Sequence, residues 1–492
     1  MASADRNPEV AAVATSGIQP DPPSEKSTTV LPVGSLTPAK SPIAASTPPT
    51  RAGPVVTSLS PSIVSAGGGG TVNISGSGFG ATSAVFFGSN QSSKFSVISP
   101  TLIRATAPTD SGSIEVMVVT PSGTSADSRA SVLTYAPTGQ LPITAGAGNL
   151  KVGGAPTKFL GVNAYELATA WGTNAGCGGM ETSAQIASFF SSLSRGSIVR
   201  FWAFQGDLAT DETTDQIDWA PIDQVFYLAA TYHVYLIPVI TDQSGTCDGG
   251  HWQDPSWYVG GFKDVFNSAT DSEGRGLTPL SYWTYMQRLV NRYKNSPALG
   301  MWEPISEPEA STCPAAYQPT NCSGHQSCPD EAVAAADLTS FFDVVGGEIH
   351  FLDPNHLVEE GVLGSGQCGT SGAYYGAVGA SPGIDVLSVH DYYGAVPLGG
   401  DQWNGLAVRF SQARALDKPI ITGEAGILAG NGPACDGFTQ RATAMAAKFE
   451  AQFADGSSAF LVWDWALDPL GACSYNTGPG DPLMRLLSGS EG

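Results

Sequence analysis

Short apolar runs alternate with amphipathic stretches from about residue 159 to the end of the chain. The apolar runs are nearly continuous, which is typical of strands buried on both faces of a parallel sheet. The pattern predicts eight such strands, at Phe159–Val162, Ile198–Phe201, Val234–Ile240, Leu299–Trp302, His356–Glu359, Val386–His390, Ile420–Gly423 and Phe460–Trp463.

The stretches between these runs carry apolar residues at helical spacing. They predict helices over Ile186–Leu193, Ile222–Tyr232, Leu280–Tyr293, Ala332–Phe351, Trp403–Ala415 and Phe438–Phe453. Alternation of strand and helix favours an α/β fold, and eight repeats favour a closed (β/α)8 TIM barrel. An open doubly wound sheet is the competing fold, but no GxGxxG follows the first strand to support it. A hairpin is predicted at Leu150–Pro156, ahead of the first strand.

The preceding segment, residues 54–137, has shorter alternating runs separated by glycine-rich turns. Many short strands at close spacing predict a small N-terminal all-β, Ig-like sandwich. The predicted strands are Thr71–Ile74, Ala84–Phe87, Phe95–Ile98, Leu102–Ala105 and Ile114–Val118. Its function stays open between a spacer and a binding module.

Residues 1–53 are rich in Pro, Ser, Thr and Ala and contain few large apolar residues. Such a segment buries too little to offset its ordering entropy, so we expect a disordered tail or linker. The expected organisation is therefore a tail at 1–53, the sandwich at 54–137, a short connector at 138–142, and the α/β barrel at 143–492.

The chain has 492 residues, with a net charge of −22 and only 13% charged residues. A nucleic acid or an anionic membrane would need a basic face, so the balance argues against both partners. No run of 18 apolar residues is present, and the start, MASADRNPEV, lacks the apolar core of a signal peptide. We nevertheless expect a secreted monomer whose secretion signal is not in this sequence.

Cysteine usage supports an oxidising compartment. The eight cysteines are Cys177, Cys247, Cys313, Cys322, Cys328, Cys368, Cys435 and Cys473, and none forms a CxxC pair. An even number in loop-like sequence predicts disulfides, with free buried thiols as the alternative. Cys313, Cys322 and Cys328 crowd one loop, so at least one local bridge is expected there.

Two glutamates stand where chemistry is expected, because active sites of such barrels lie at the C-terminal ends of the strands. Glu307 follows the fourth strand and precedes Pro308, which predicts an extended backbone at Glu307. Glu424 ends the seventh strand, where an unpaired buried charge would be costly. The alternatives are a solvated loop glutamate and a structural ion pair with Arg200.

Further polar and aromatic residues follow other strands. Arg200 could keep a carboxylate ionised, while His390 and Tyr392 could hydrogen-bond the carboxylates or a sugar. Trp463 and Trp465, in the last strand, could stack on the apolar face of a sugar, with core packing as the alternative.

The sandwich segment resembles the IPT/TIG immunoglobulin-like domain. The matching residues are Leu59–Pro61, Ile74–Phe79, Val85–Gly88, Ala105–Pro108, Val119–Gly123 and Leu133–Tyr135.

The barrel segment, from about Ile143 to Leu487, resembles glycoside hydrolases of clan A, close to family 5. Within that family it is most similar to endo-β-1,4-mannanases, with cellulases next. The matching segments are Phe159–Tyr165, which includes Asn163, Val199–Phe204, which includes Trp202, Trp302–Pro308, Leu352–Val358, His390–Tyr392, Lys418–Glu424 and Trp463.

The resemblance implies an acid/base role for Glu307 and a nucleophile role for Glu424. It also implies that Arg200, His390 and Tyr392 hold the nucleophile and that Trp463 is a sugar platform. One position departs from the pattern, because Ser306 stands where the family has an asparagine that contacts the sugar 2-hydroxyl. The departure puts the sugar in doubt more than the reaction.

The expected function is a retaining glycosidase that cleaves β-mannan or β-glucan and needs no metal or other cofactor. One alternative is the same chemistry on an unusual microbial cell-wall glycan or a furanoside. The other is a non-catalytic carbohydrate-binding or adhesion protein.

Overall fold

The computed structural model describes fifteen stretches of the chain. They are residues 53–110, 112–126, 128–136, 140–168, 182–205, 210–211, 216–217, 219–245, 252–264, 280–314, 322, 324–432, 435–467, 471 and 473–487. Residues 1–52 of the tail predicted at 1–53 lie outside these stretches, as do Cys177 and Cys247.

The N-terminal β-sandwich is built from two sheets around one apolar core. Its strands are β1 (Val55–Ser60), β2 (Ile63–Ser65), β3 (Thr71–Ser77), β4 (Ala84–Phe87), β5 (Asn90–Gln91), β6 (Phe95–Ser99), β7 (Leu102–Thr106), β8 (Gly112–Thr120), β9 (Gly123–Thr124) and β10 (Val132–Ala136). One sheet has the order β1-β3-β7-β6, and the other has the order β2-β10-β8-β4-β5, with β9 paired to β8. Alternate residues such as Val72 and Ile74 are fully buried between the sheets, as the sequence alternation predicts.

A small antiparallel sheet follows, formed by β11 (Ile143–Gly146), β12 (Asn149–Val152) and β13 (Ala155–Pro156). It contains the predicted hairpin. Ile143 and Leu150 are fully buried and pack with core residues of the α/β region, which is residues 159–487.

All eight predicted strands of the α/β region are present. They are β14 (Phe159–Asn163), β15 (Ile198–Trp202), β18 (Tyr235–Val239), β19 (Met301–Trp302), β20 (Leu357–Val358), β21 (Leu387–Asp391), β22 (Ile420–Ala425) and β23 (Ser457–Val462). A two-stranded ribbon, β16 (Thr210–Asp211) and β17 (Gln216–Ile217), lies between β15 and β18 in the sequence.

The eight strands are parallel neighbours in a defined order. Six of them form one parallel sheet in the order β18-β15-β14-β23-β22-β21, and β19 pairs with β20. Isolated parallel bridges extend the pairing on both sides of this pair, at Leu236–Leu299, Val239–Glu303 and Glu359–Val386. The region is therefore mixed α/β, and these eight strands run in one direction.

Helices connect the strands and bury one face against them. They are α1 (Ser183–Ser192), α2 (Ala220–Tyr232), α3 (Pro255–Tyr258), α4 (Tyr282–Tyr293), α5 (Glu331–Leu352), α6 (Tyr374–Gly379), α7 (Leu406–Leu416), α8 (Phe438–Ala454) and α9 (Pro482–Leu487). All six predicted helices are present. Among the described residues, no helix has the length and apolar content needed to cross a bilayer.

The sandwich packs directly against α2 and α4. Ile63 is 2% exposed and belongs to the apolar core of the α/β region. Asp223 on α2 accepts hydrogen bonds from Ser62 (2.9 Å) and from Arg292 on α4 (2.8 Å). Arg292 in turn donates to the Leu59 carbonyl (3.0 Å). Apolar and charged contacts therefore join the sandwich to the helices.

Three disulfides are present among the described residues: Cys313–Cys322, Cys328–Cys368 and Cys435–Cys473. The first confirms the local bridge predicted for the crowded loop. The second joins the segment after β19 to the segment after β20.

Candidate functional site

Glu307 lies beyond the end of β19, but its backbone is not extended as the following proline predicts. Its φ is +52°, in the left-handed region that L-residues seldom adopt. The prediction from the local dipeptide was wrong because a long-range contact fixes this residue. Its N–H donates to the Gly361 carbonyl (2.8 Å), in the segment after β20.

Gly361 permits this close approach. Its φ is +67°, and a Cβ at this position would lie 2.0 Å from the Ile305 carbonyl oxygen and 2.8 Å from Oε1 of Glu303. No side chain fits there, so the glycine allows the segment that holds Glu307 to pack against the next one.

Glu424 lies within β22 and is only 4% exposed. Its carboxylate accepts hydrogen bonds from Nη1 of Arg200 (2.6 Å) and from the Tyr392 hydroxyl (2.6 Å). Nδ1 of His390 lies 3.5 Å from its second oxygen. The predicted ion pair with Arg200 is present, and it faces a cleft rather than a closed core.

Arg200 is the centre of a buried polar network. Glu303 accepts two hydrogen bonds from its guanidinium, each 2.6 Å long. The remaining donors reach Oδ1 of Asn163 (2.9 Å) and Oγ of Ser306 (2.7 Å). Such a planar fork is held in one orientation by its carboxylate partner, so Arg200 presents a fixed N–H to Glu424.

The two glutamates approach each other closely. One oxygen of Glu307, one of Glu424 and a ring nitrogen of His390 all lie within 4.8 Å of one another. Nδ1 of His390 lies 2.7 Å from Oε1 of Glu307. These three side chains could share a cation, but the Arg200 guanidinium beside Glu424 would oppose one.

The pKa values of Glu307, Glu424 and His390 depend on one another. Partial burial of Glu307 would raise its pKa, but the hydrogen bond and charge of His390, with Arg200, outweigh it and lower that pKa. Burial raises the pKa of Glu424, although His390 and Arg200 oppose this. Burial alone would lower the pKa of His390, but the two carboxylates raise it. His390 and the two glutamates therefore titrate as one interacting group.

Aromatic rings line part of the cleft, which has a volume of about 510 Å³. Trp202 and Trp463 both face it, and Tyr165 stacks on Trp463 with ring centroids 5.4 Å apart. Trp465, also predicted as a platform, does not line the cleft. It is 3% exposed and packs on Phe189 in the core, so that prediction was wrong.

Sequence reasoning missed several cleft residues: Asp242, Gln243, Ser244, Trp252, Glu309, Leu363, Gln326, Gln367 and Tyr475. Burial raises the pKa of Asp242, and the charge of Glu307 adds to this. Asp242 follows β18, so the rule that located Glu307 at a strand end would also have found it. Glu303, too, lay within the recognised motif without an assigned role.

Residues 54–135 match the IPT/TIG domain model. The N-terminal β-sandwich is thus an IPT/TIG domain, as its strand and turn pattern predicts.

The chain has a distant curated relative. The chain is 28% identical over 196 residues to a probable mannan endo-1,4-β-mannosidase C of Aspergillus terreus. The match covers 36% of this chain and 42% of that protein, so the chain spans less than half the length of this relative.

Solved structures with similarity to the chain include mannanases. The endo-1,4-β-mannanase of Rhizomucor miehei is 18% identical with a TM-score of 0.47, over 70% of this chain and 97% of that one. The endo-β-1,4-mannanase of Thermotoga petrophila is 15% identical with a TM-score of 0.46, over 68% and 76%. A glycoside hydrolase family 5 mannosidase of Rhizomucor miehei is 13% identical with a TM-score of 0.43, over 71% and 96%.

Proposed function

We propose that the α/β region is a retaining glycoside hydrolase that cleaves a β-linked polysaccharide, with β-mannan as the first candidate. The observation that carries this proposal is the approach of Glu307 and Glu424 oxygens to within 4.8 Å. Retaining glycosidases place their two carboxyl groups about 5–5.5 Å apart, whereas inverting ones leave about 6.5–9.5 Å for a water molecule.

Glu307 is the acid/base in this proposal. Its side chain is 41% exposed, so it can reach the oxygen of the scissile bond. A proton shared by His390 and Glu307 passes to that oxygen as the bond to the anomeric carbon breaks. Glu307 then removes a proton from the water that attacks the glycosyl-enzyme.

Glu424 is the nucleophile. It attacks the anomeric carbon, forms a glycosyl ester, and leaves again as a carboxylate when water attacks. The Arg200 and Tyr392 donors, both at 2.6 Å, stabilise the anionic carboxylate and orient it. Asn163 helps to orient Arg200, since its side-chain oxygen accepts a hydrogen bond from the guanidinium (2.9 Å).

The same proposal includes a closed (β/α)8 barrel over residues 143–492. The parallel pairing of six strands, the β19–β20 pair and the bridges on both sides of that pair support closure. Closure would bring the ends of β19 and β22 to one mouth, where Glu307 and Glu424 meet. Secretion is proposed as well, since three disulfides form among the described residues.

Mannan is placed first because the curated relative is a probable mannan endo-1,4-β-mannosidase. A different sugar is the second candidate, and Ser306 favours it. Its hydroxyl is engaged by Arg200 (2.7 Å), while Asp242 adds a carboxylate to the same part of the cleft. The sugar 2-hydroxyl would therefore meet a hydroxyl and a carboxylate rather than an amide.

The test is a kinetic series on soluble mannan, glucan and aryl glycosides. Glu424→Ala should abolish turnover, and Glu307→Ala should recover activity on aryl glycosides when azide is added. Glu309→Gln, which changes another cleft carboxyl, is the matched control and should retain turnover. NMR of early products should show retained configuration, and inversion would refute the pairing of Glu307 with Glu424.

A further inference from the structure

Trp403 is an exposed aromatic residue on the same face of the α/β region as the cleft. It lies in the Trp403 loop (residues 392–405), which begins where β21 ends and finishes where α7 begins. Because this loop leaves the carboxyl end of a strand, it shares a face with His390 and Tyr392. Trp403 is 66% exposed, which is rare for a residue with so much apolar surface.

The backbone around Trp403 is fixed although the ring is exposed. Oδ1 of Asp401 accepts the N–H of Trp403 (2.7 Å) and that of Asn404 (2.6 Å). Oδ1 of Asn404 accepts from the N–H of Gly372 (2.8 Å) and from Nη2 of Arg409 (2.7 Å). Among the described residues, the indole ring has no stacking partner. The hydrogen bonds therefore fix the backbone of Trp403 while its ring is exposed to solvent.

A short path of contacts joins Trp403 to the cleft. The Asn404 side chain packs on Gly366, where a Cβ would meet its amide nitrogen at 3.0 Å. The residue after Gly366 is Gln367, which lines the cleft together with Leu363. The Trp403 loop therefore contacts the segment that contributes Leu363 and Gln367 to the lining of the cleft.

In the proposed function, this segment lies on the leaving-group side of the cleft. The segment of Leu363 and Gln367 is the one whose Gly361 carbonyl holds the acid/base, Glu307. Trp202 and Trp463 lie on the side of Glu424, the proposed nucleophile. The backbone N–H of Trp463 donates to the carbonyl of Ala425 (2.8 Å), the residue after Glu424. An acid/base protonates the departing oxygen, so the leaving part of a polymer extends past Gln367.

We propose that Trp403 is an outer binding platform for the leaving-group side of a polysaccharide chain, which stacks the apolar face of a sugar ring outside the cleft. This inference rests on the proposed function and deepens it, because a platform outside the cleft is useful only for a substrate longer than the cleft holds. The site would favour cleavage within a chain over removal of single terminal sugars.

The test compares Trp403→Ala and Trp403→Phe with Phe351→Ala. Phe351 is 80% exposed near the end of α5, on the face where helices lead into strands, so it is a matched aromatic control far from the cleft. The probes are soluble β-1,4-mannan and β-1,4-glucan and the matching aryl diglycosides, whose leaving group is too short to reach Trp403.

Trp403→Ala should raise the KM for the cleaved polymer about fivefold, with the aryl substrate unaffected. Trp403→Phe should give an intermediate KM, and Phe351→Ala should match the wild type. An unchanged polymer KM, or an equal rise for the aryl substrate, would overturn the platform while leaving the proposed function intact. Loss of a dimer in Trp403→Ala without a change in KM would show that a second copy covers the ring instead. Failure of the wild type to cleave any probe overturns both proposals.

Discussion

Nδ1 of His390 lies 2.7 Å from Oε1 of Glu307, and the histidine side chain is fully buried. The carboxylates raise the pKa of His390, while the same contact lowers the pKa of Glu307. In the proposed mechanism, the proton for the leaving group is shared by this pair, and it can pass from His390 to Glu307 without a change in net charge.

This relationship predicts how the pH profile responds to His390→Asn. The alkaline limb of kcat/KM should move to lower pH, because the proton would then be held by a carboxyl alone, and kcat should fall by roughly 10²-fold. His350→Asn is the control, since His350 also has a pKa raised by a carboxylate, Asp385, but lies on α5. If the alkaline limb of kcat/KM lay at the same pH in His390→Asn as in the wild type, the proposal that His390 and Glu307 share a proton would be contradicted.

The backbone of Glu307 predicts a second result. Gly361→Ala would force a Cβ to within 2.0 Å of the Ile305 carbonyl, so the segment carrying Glu307 must move. We expect a loss of kcat of roughly 10²-fold or more, since small displacements of catalytic groups are costly. Gly394→Ala is the control, because its φ of +61° is similar but its Cβ would meet nothing within 4 Å. Equal losses in both would indicate strain rather than displacement.

Glu360 predicts a dependence of stability on pH. Burial raises the pKa of its carboxyl to about 8. The folded protein then keeps a proton that the unfolded chain releases near its ordinary pKa of about 4.3. The stabilisation is complete below that value and is lost as pH rises through 8, with a magnitude on the order of a few kcal/mol. Glu360→Gln should flatten the fall in Tm between pH 5 and pH 8.

The control for that experiment is Glu450→Gln, which removes one exposed carboxylate from α8. Its Tm curve should run parallel to the wild type. If Glu360→Gln also ran parallel, the buried carboxyl would not be the source of the pH dependence.

The contact between the IPT/TIG domain and the helices predicts shared stability. Ile63→Ala removes a side chain from the core of the α/β region and should cost about 2–4 kcal/mol in urea unfolding. Ile98→Ala is the matched control, since Ile98 is 53% exposed on β6. Two separate unfolding transitions, with only the first shifted by Ile63→Ala, would show that the two parts unfold independently.

Local pattern was sufficient for most of the fold, because buried strands must be apolar wherever they lie. The eight strands were predicted mostly within one or two residues of their ends. The prediction of β23 began at Phe460, whereas the strand begins at Ser457, because three small residues carry no apolar signal. The strands β19 and β20 are only two residues long, since the segments beyond them turn to form the cleft.

The site was predicted as far as strand position could reveal it. Glu307, Glu424, Arg200, His390 and Tyr392 converge because parallel strand ends share an edge. The left-handed backbone of Glu307 was not predictable, because it depends on a contact with a segment more than 50 residues away. Long-range packing of this kind leaves no trace in a dipeptide.

Gln326 and Gln367, which both face the cleft, flank the Cys328–Cys368 bridge within two residues of its ends. A covalent bond thus joins the two segments that carry Gln326 and Gln367, whereas Glu424 lies in strand β22 and Glu307 is held by a backbone hydrogen bond to Gly361. Protein made in a reducing compartment should keep the arrangement of Glu307 and Glu424 and should still turn over aryl glycosides. Its KM for polysaccharide should rise. Measuring turnover of aryl glycosides and of polysaccharide before and after reduction would distinguish the contribution of the disulfide-linked segments from that of the two glutamates.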